Sequence, residues 1–263
     1  MAREDLTCDF EVVSGRAPLS GPATALRRIR HMSTTLDPSL ISGLPLFDGI
    51  APAERAALLS EARSQRYAKN ASVFEQGAEA HSFYLLLHGR VRAFKISPAG
   101  EQIVIRFVAP GEMFGVANAI GAKEYPAHAV AVVDSVALAW PTPAWPGMLA
   151  RHPSLGVSMM QMLGARLQES QTRLAEISTQ EVERRIANML LRLATQGGRK
   201  TPEGIGFDFP ISQQDIAEMT GTTFYTVSRV LKAWEADGVV ATGRQKILIR
   251  DPHRLVVLAE PKG

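Results

Sequence analysis

The chain has 263 residues, is 46% hydrophobic and carries a formal net charge of +3. That length leaves room for about two domains, and so small a charge is weak evidence for nucleic-acid binding. No run of roughly 18 apolar residues occurs, and the first 35 residues lack the apolar core of a secretory signal, so we expect no membrane span and a cytoplasmic location. The single cysteine, Cys8, excludes disulfides within the chain and four-cysteine metal sites.

Residues 1–35 are predicted to form a flexible tail. Pro18, Gly21 and Pro22 interrupt any periodic pattern, and chain ends of this kind are usually disordered. Met32 is a candidate natural start, and Cys8 has no predicted role in this segment.

Residues 36–150 are predicted to form a strand-rich domain after two short helical segments at 38–42 and 52–62. Runs of β-type residues, several of them separated by glycine turns, occur at 72–74, 82–88, 91–96, 102–108, 128–133 and 136–140. Many short strands at this spacing favour a β-sandwich or jelly roll. The alternation of strands and helices that a doubly wound fold requires is missing.

Pro153 begins a long helical stretch. We assign the segment 151–178, which contains it, to a dimerisation helix. Steps of four and three residues give the seam of a coiled coil over three heptads: Met160, Leu163, Leu167, Leu174 and Ile177, with Gly156 and Ser170 at weaker positions. We prefer a parallel homodimer contact to the alternative, a helix packed only on its own domain. A second helix, at about 180–195, is expected near the start of a C-terminal domain at residues 179–263.

The stretch 212–232 has the pattern of a helix-turn-helix. Ser212 followed by Asp215 is typical of a capping box, small Ala217 suits close helix packing, and Gly221 suits a turn with positive φ. The second helix has an apolar stripe at Val227, Val230, Leu231 and Trp234. The pattern therefore predicts DNA binding, with an ordinary pair of amphipathic helices as the alternative.

The opposite face of that second helix is polar, as the recognition of base edges and phosphates requires. The candidate contact residues of this face and of the preceding turn are Thr222, Thr223, Tyr225, Ser228, Arg229 and Lys232. Two β-type runs at 239–241 and 246–250 predict a hairpin wing, with Arg244 and Lys246 available for phosphates. Asp251 and Pro252 predict the start of a last helix.

A β-roll, a long helix and a winged helix-turn-helix in this order resemble the CRP/FNR superfamily of bacterial transcription regulators. The resemblance covers residues from about 40 to 257 and rests on the segments 83–89 (FYLLLHG), 110–115 (PGEMFG) and 211–234. It implies an α+β fold with a cyclic-nucleotide-binding-like sensor domain. It also implies an activator that binds palindromic promoter DNA as a homodimer and contacts RNA polymerase.

The chain departs from the family where effectors bind. Members that bind cyclic nucleotides carry a Glu at the position of Val116, and later an Arg-Ser pair where the segment 123–128 has no arginine. A buried phosphate would lack its cation there, so we expect no cAMP binding. Haem-containing carbon monoxide sensors of the family carry Cys and His at the positions of Gly115 and Ala117, and iron–sulfur members need four cysteines. The candidate residues of any effector pocket are Gly115, Val116, Asn118, Tyr125 and His128.

The segment 220–229 is similar to the nitrogen-oxide-responsive (NnrR/DNR-like) branch of the family. That branch controls nitrite and nitric oxide reductase genes, and the resemblance implies sensing of nitric oxide through haem. Tyr225 stands where most members have Glu, whereas Ser228 and Arg229 are kept. The histidines are singletons without ligand spacing, so none is assigned to haem: His31, His81, His88, His128, His152 and His253. An effector-free regulator controlled by its expression level and a metabolite-binding regulator stay open.

An enzyme is the rival from another class. The nucleophile elbow, the Walker loop, the HExxH motif and the dinucleotide-binding fingerprint are all missing from the sequence, which argues against it. A second rival is a small-molecule-binding module with a degenerate DNA domain. Salt-dependent, sequence-preferring DNA binding would separate that module from a regulator.

Overall fold

The computed structural model describes residues 37–260, apart from the side chain of Asn118. The predicted tail, with Cys8 and His31, lies outside the described residues. Two short 3-10 helices, Pro38–Ile41 and Pro45–Phe47, come first, and helix α1 follows at Pro52–Ser60. A proline stands in the first turn of all three, where its missing N–H costs nothing.

The next segment is an antiparallel β-roll built from two four-stranded sheets, β1-β8-β3-β6 and β2-β7-β4-β5. Its strands are β1 Arg63–Tyr67, β2 Ser72–Phe74, β3 Ser82–His88, β4 Val91–Ile96, β5 Gln102–Val108, β6 Met113–Phe114, β7 His128–Ala131 and β8 Ser135–Pro141. A 3-10 helix, Ala117–Ile120, follows β6. The predicted jelly-roll-like domain is confirmed, and the bounds of β2, β3, β4 and β5 are as expected.

The strands that the sequence did not indicate are those with little apolar alternation. β1 is an edge strand of sequence RSQRY that is largely exposed, so it lacks the buried face that makes a strand recognisable. β6 has only two residues. β7 ends at Ala131, two residues earlier than expected, because a turn to β8 begins there.

Three helices follow the β-roll: α2 Trp145–Arg151, α3 Pro153–Thr179 and α4 Val182–Gly197. A short 3-10 helix, Thr142–Ala144, leads into α2. The sequence did not predict α2, since Pro146 and Gly147 are poor helix formers. α3 is continuous over 27 residues, as expected from its heptad pattern. α4 buries one apolar stripe, which includes Ile186, Leu190 and Leu193.

The C-terminal region is a winged helix-turn-helix: β9 Gly198–Thr201, β10 Gly204–Phe207, α5 Gln213–Thr220, α6 Phe224–Ala236, β11 Val240–Gly243, β12 Lys246–Ile249 and α7 Pro252–Ala259. Its sheet has the order β11-β12-β10-β9. The β9–β10 hairpin was not expected from its polar and glycine-rich sequence. Gly204 has φ 139°, and a Cβ there would lie 2.1 Å from the carbonyl oxygen of Ile249, so the approach to β12 requires glycine.

Buried side chains form three clusters. One fills the β-roll, and a second lies between α1, β3, β8, α2 and the start of α3. The third is the core of the C-terminal domain, but it also includes Phe94, Val104 and Phe107 of the β-roll. None of the helices within residues 37–260 combines the length and the apolarity needed to cross a membrane.

Candidate nucleic-acid interface and sensor domain

The turn between α5 and α6 has the geometry that the sequence predicts. The Ser212 hydroxyl oxygen accepts the Asp215 N–H at 3.0 Å, and the Asp215 carboxylate accepts the Ser212 N–H at 2.9 Å. This capping box fixes the start of α5. Gly221 ends that helix with φ 62°, and the N–H of Thr222 donates to the carbonyl oxygen of Ala217 at 3.0 Å. The backbone therefore reverses tightly enough to set α6 across α5.

A buried arginine of α4, which no sequence pattern singled out, supports the same turn. Arg185 is 9% exposed, and its Nε donates to the carbonyl oxygen of Thr220 at 3.0 Å. Its Nη1 donates to the carbonyl oxygen of Gln180 at 2.7 Å. The guanidinium thus satisfies carbonyl groups at the end of α5 and before α4, which orients the helix-turn-helix on its own domain.

Helix α6 presents one exposed strip and one buried stripe. Thr223 is its N-cap and accepts the N–H of Thr226 at 3.2 Å. The buried stripe is Val227, Val230, Leu231 and Trp234, as predicted. The other face carries Tyr225, Ser228, Arg229 and Lys232, which stand at steps of three and four residues and so line up along the helix. Tyr225 is 83% exposed, Arg229 and Lys232 are exposed, and Ser228 is half-buried.

The predicted wing is the β11–β12 hairpin, closed by a two-residue turn at Arg244 and Gln245. The Glu235 carboxylate at the end of α6 accepts the N–H of Thr242 at 2.8 Å and its hydroxyl at 3.1 Å. These hydrogen bonds lower the pKa of Glu235, and the bond from the Thr242 backbone has the larger effect. The ionised carboxylate therefore connects α6 to the wing. Arg244 and Lys246 project from the hairpin and are exposed.

The candidate DNA-contacting cations have no partner within the described part of the chain. Neither an ion pair nor a side-chain hydrogen bond to residues 37–260 involves Arg229, Lys232, Arg244 or Lys246. Other arginines of the C-terminal domain, including Arg185 and Arg192, are engaged with the protein itself. These four free cations thus lie on α6 and the wing, where phosphates are expected, and Lys200 on β9 is a further exposed cation of the domain.

The predicted seam of α3 is mostly exposed in this single chain. Met160 is 67% exposed, Leu167 61%, Leu174 64% and Ile177 44%, whereas Leu163 packs partly on its own domain. Val157, outside the predicted seam, is also 51% exposed. Nothing lies within 4 Å of a Cβ placed on Gly164, in the middle of this stripe. The exposed apolar stripe thus runs along nearly the whole helix.

The interior of the β-roll, near the candidate effector residues, is filled by aromatic rings. Tyr125 stacks on Phe74 with ring centroids 3.9 Å apart, and Tyr84 stacks on Phe114 at 5.2 Å. The Tyr125 hydroxyl donates to the carbonyl oxygen of Ser82 at 2.6 Å and accepts its N–H at 3.1 Å. A Cβ on Gly115 would lie 2.9 Å from Phe74 and 3.0 Å from Tyr84. Tyr125 and Gly115 therefore belong to a packed core.

The other candidate effector residues lie apart from this core. Val116 packs against the cluster between α1, α2 and α3. His128 stacks on Phe94 at 4.9 Å, while the next residue, Ala129, is buried in the β-roll. Because side chains alternate along a strand, His128 points out of the roll. The backbone of Asn118 belongs to a 3-10 helix, and its side chain lies outside the described residues.

The described histidines do not converge on a haem-sized cavity. An open groove of about 440 Å³ is lined by Gln76, Gly77, Lys95, Ala122, Lys123, Glu124, Tyr125 and Pro126, none of which is an imidazole. His152 is buried 3.7 Å from Glu54, and His81 is exposed beside Glu79. The lining of this groove therefore offers haem iron no histidine ligand.

Arginines connect the β-roll to the C-terminal domain. The Arg92 guanidinium donates to the Asp215 carboxylate at 2.7 Å, and Arg173 of α3 donates to the carbonyl oxygens of Val104 at 3.2 Å and Met219 at 3.1 Å. Arg90 is 5% exposed and lies 4.2 Å from the ring centre of Phe209. The two domains therefore share polar contacts as well as a hydrophobic cluster.

The fold and the exposed face of α6 define the class of protein, a winged helix-turn-helix transcription regulator with a cyclic-nucleotide-binding-type domain. Family models agree: a cyclic nucleotide-binding domain matches residues 64–152, and a Crp-like helix-turn-helix domain matches residues 184–258. The chain belongs to the CRP/FNR family of DNA-binding transcription regulators.

Individual relatives match over most of their length. The chain is 32% identical over 219 residues to the cyclic AMP receptor protein of Thermus thermophilus, covering 83% of this chain and 98% of that protein. It is 28% identical to the global nitrogen regulator of a Synechocystis species, over 73% of this chain and 86% of that protein. The crystal structure of a CRP-family transcriptional regulator from Thermus thermophilus has a TM-score of 0.64 and 28% identity, covering 74% of this chain and 96% of that one. These relatives are regulators rather than enzymes.

Proposed function

We propose that this regulator binds a palindromic promoter site as a homodimer and contacts RNA polymerase there as an activator. The observation that carries the DNA-binding geometry is the exposed strip of α6 with its unpaired cations. Two such helices related by a two-fold axis would enter successive major grooves about one helical turn apart.

The proposed contacts divide by chemistry. Arg229 is the candidate for a guanine, because its planar fork matches O6 and N7. Tyr225 and Ser228 would contact bases or phosphates. Backbone contacts fall to the N-terminus of α6 and to the remaining cations: Thr222, Thr223, Lys232, Arg244 and Lys246. All of these except half-buried Thr222 and Ser228 are exposed.

The proposed dimer contact is the apolar stripe of α3. Four predicted seam residues, Met160, Leu167, Leu174 and Ile177, leave between 44% and 67% of their surface exposed in the single chain. Two parallel copies of α3 would cover these side chains, and Gly164 in the stripe leaves room for close approach. The same arrangement would place two DNA-binding domains side by side.

Control of nitrogen-oxide or anaerobic metabolism genes stays a prediction from the likeness of residues 220–229 to that branch. For the mode of control, the packed β-roll favours regulation without an effector. Phe74, Tyr84, Phe114 and Tyr125 already fill the interior with stacked rings, and the loop 123–128 has Lys123 but lacks the arginine that cyclic-nucleotide-binding members carry there. DNA affinity is then expected to be the same with and without cAMP, and with haem and nitric oxide. A tenfold effect of either would contradict effector-free control.

The experiment that tests the DNA-binding proposal is selection of duplexes from a random library by the full chain, followed by binding titrations at several salt concentrations. We expect enrichment of a sequence with two inverted half-sites about one helical turn apart, and affinity that falls with salt. Binding without sequence preference would instead indicate a degenerate DNA domain. A single, non-repeated site would contradict the homodimer.

A further inference from the structure

The first turn of α6 carries an exposed pair of aromatic side chains, Phe224 and Tyr225. Phe224 is 45% exposed and Tyr225 is 83% exposed. Their rings meet edge to face with centroids 5.9 Å apart. Large apolar groups left in solvent on a defined face are often part of a binding surface. The core of the domain does not require them, since Val227, Val230, Leu231 and Trp234 already form the buried stripe.

The position of the pair favours bases over phosphates. The N-terminal residues of a recognition helix contact base edges in the major groove. Neither ring carries a charge, so neither can replace the counterions of the DNA backbone. The one feature of the major groove that offers an apolar contact is the C5-methyl group of thymine. Tyr225 is also four residues before Arg229 and so lies on the same face, about 6 Å along the helix axis.

We propose that Tyr225, held by Phe224, reads the C5-methyl group of a thymine within one or two base pairs of the guanine contacted by Arg229. Tyr225 and Arg229 are about 6 Å apart along the helix axis, and successive base pairs are about 3.4 Å apart. The two contacts should therefore fall within one or two base pairs of each other. This inference rests on the proposed DNA binding and adds the base that the first turn of α6 selects. Phe224 is a positioning residue, because its ring edge restricts the orientation of the Tyr225 ring.

The test uses the half-site that the full chain selects from a random library. Each thymine is replaced in turn by deoxyuridine, which removes only the methyl group, and affinities are measured by titration. One replacement within one or two base pairs of the selected guanine is expected to weaken binding about threefold to fourfold, the effect of one buried methyl-sized group. With Tyr225→Ala this penalty should vanish, whereas Tyr225→Phe should retain it because the hydroxyl is not involved.

The controls separate this inference from the proposed function. Val257→Ala, at a 54% exposed position on α7, should leave both affinity and the deoxyuridine penalty unchanged. Phe224→Ala should reduce the penalty without changing the salt dependence, since no charge is lost. If no thymine replacement weakens binding, or if the penalty persists in Tyr225→Ala, the methyl contact is refuted while DNA binding stands. If the chain selects no sequence at all, the proposed function itself fails.

Discussion

At the level of single residues, Arg229 is the arginine on the exposed face of α6, which it shares with Tyr225, Ser228 and Lys232. Replacing it with Ala removes a candidate guanine contact, so we expect a loss of about 1–3 kcal/mol in binding to the selected site and relaxed preference at one position. Titrations with matched and singly altered half-sites measure both effects. Lys246→Ala is the control, expected to weaken all sequences alike and to lower the salt slope. A uniform loss for Arg229→Ala would assign it to the phosphates instead.

Tyr67 gives a prediction for stability at alkaline pH. Burial, with the nearby Tyr125, raises the pKa of Tyr67 to about 12. Below about pH 10 the phenol is protonated in both the folded and the unfolded chain and contributes no pH dependence. Above that pH the unfolded chain loses the proton first, so the free energy of unfolding should fall as pH rises towards the folded pKa. Denaturant unfolding between pH 9 and about 11.5 measures the fall.

The matched variant for that titration is Tyr67→Phe, which removes the ionisable group and keeps the ring. It should reduce the loss of stability above about pH 10, although not abolish it, because burial also raises the pKa of Tyr84. An identical pH profile for both proteins would show that Tyr67 ionises as freely in the folded chain as in the unfolded one.

At the level of elements, α3 can be tested as the dimer contact. Leu167→Glu places a carboxylate at the middle of the exposed stripe, and burying it between two helices would be costly. We expect the variant to be monomeric at micromolar concentration in analytical ultracentrifugation, whereas the unaltered chain is expected to be a dimer under the same conditions. Gln168→Glu adds the same charge one residue away and should remain dimeric. A dimeric Leu167→Glu would place the interface elsewhere.

Elements with a strong pattern could be predicted, and those defined by tertiary contacts could not. Strands β2 to β5 alternate or run apolar and have the predicted bounds, and the cap of α5 follows from Ser212 and Asp215. By contrast, β10 depends on pairing with β12, which only the folded chain supplies, and β9 pairs with β10. Of the candidate effector residues, Gly115 and Tyr125 lie together among the aromatic rings, whereas Val116 and His128 lie apart from them. Whether the aromatic rings line a pocket or fill it depends on packing that spacing does not encode.

At the level of the whole molecule, the hydrophobic cluster shared by the two domains should couple their stabilities. Phe107 of β5 is 3% exposed and lies 5.2 Å from Phe209, ring centre to ring centre. Phe107→Ala is expected to cost about 3–5 kcal/mol. It should also speed hydrogen exchange in α5 and α6, which belong to the other domain. Ile103→Ala, on the same strand but 46% exposed, is the control. Unchanged exchange in α5 and α6 would mean that the two cores are independent.

The arginine contacts and the shared cluster also bear on how such a chain can be recombined. Consider a chimaera in which the chain after α3 is joined to another β-roll. Phe209 would then lose its contacts with Phe107 and Arg90, and Asp215 would lose its ion pair with Arg92. Chimaeras should therefore fold well only if the β4–β5 surface is transferred together with the C-terminal region. The part of this regulator that could be exchanged as a unit is then larger than its helix-turn-helix. Its boundary is set by side-chain contacts rather than by a single position in the sequence.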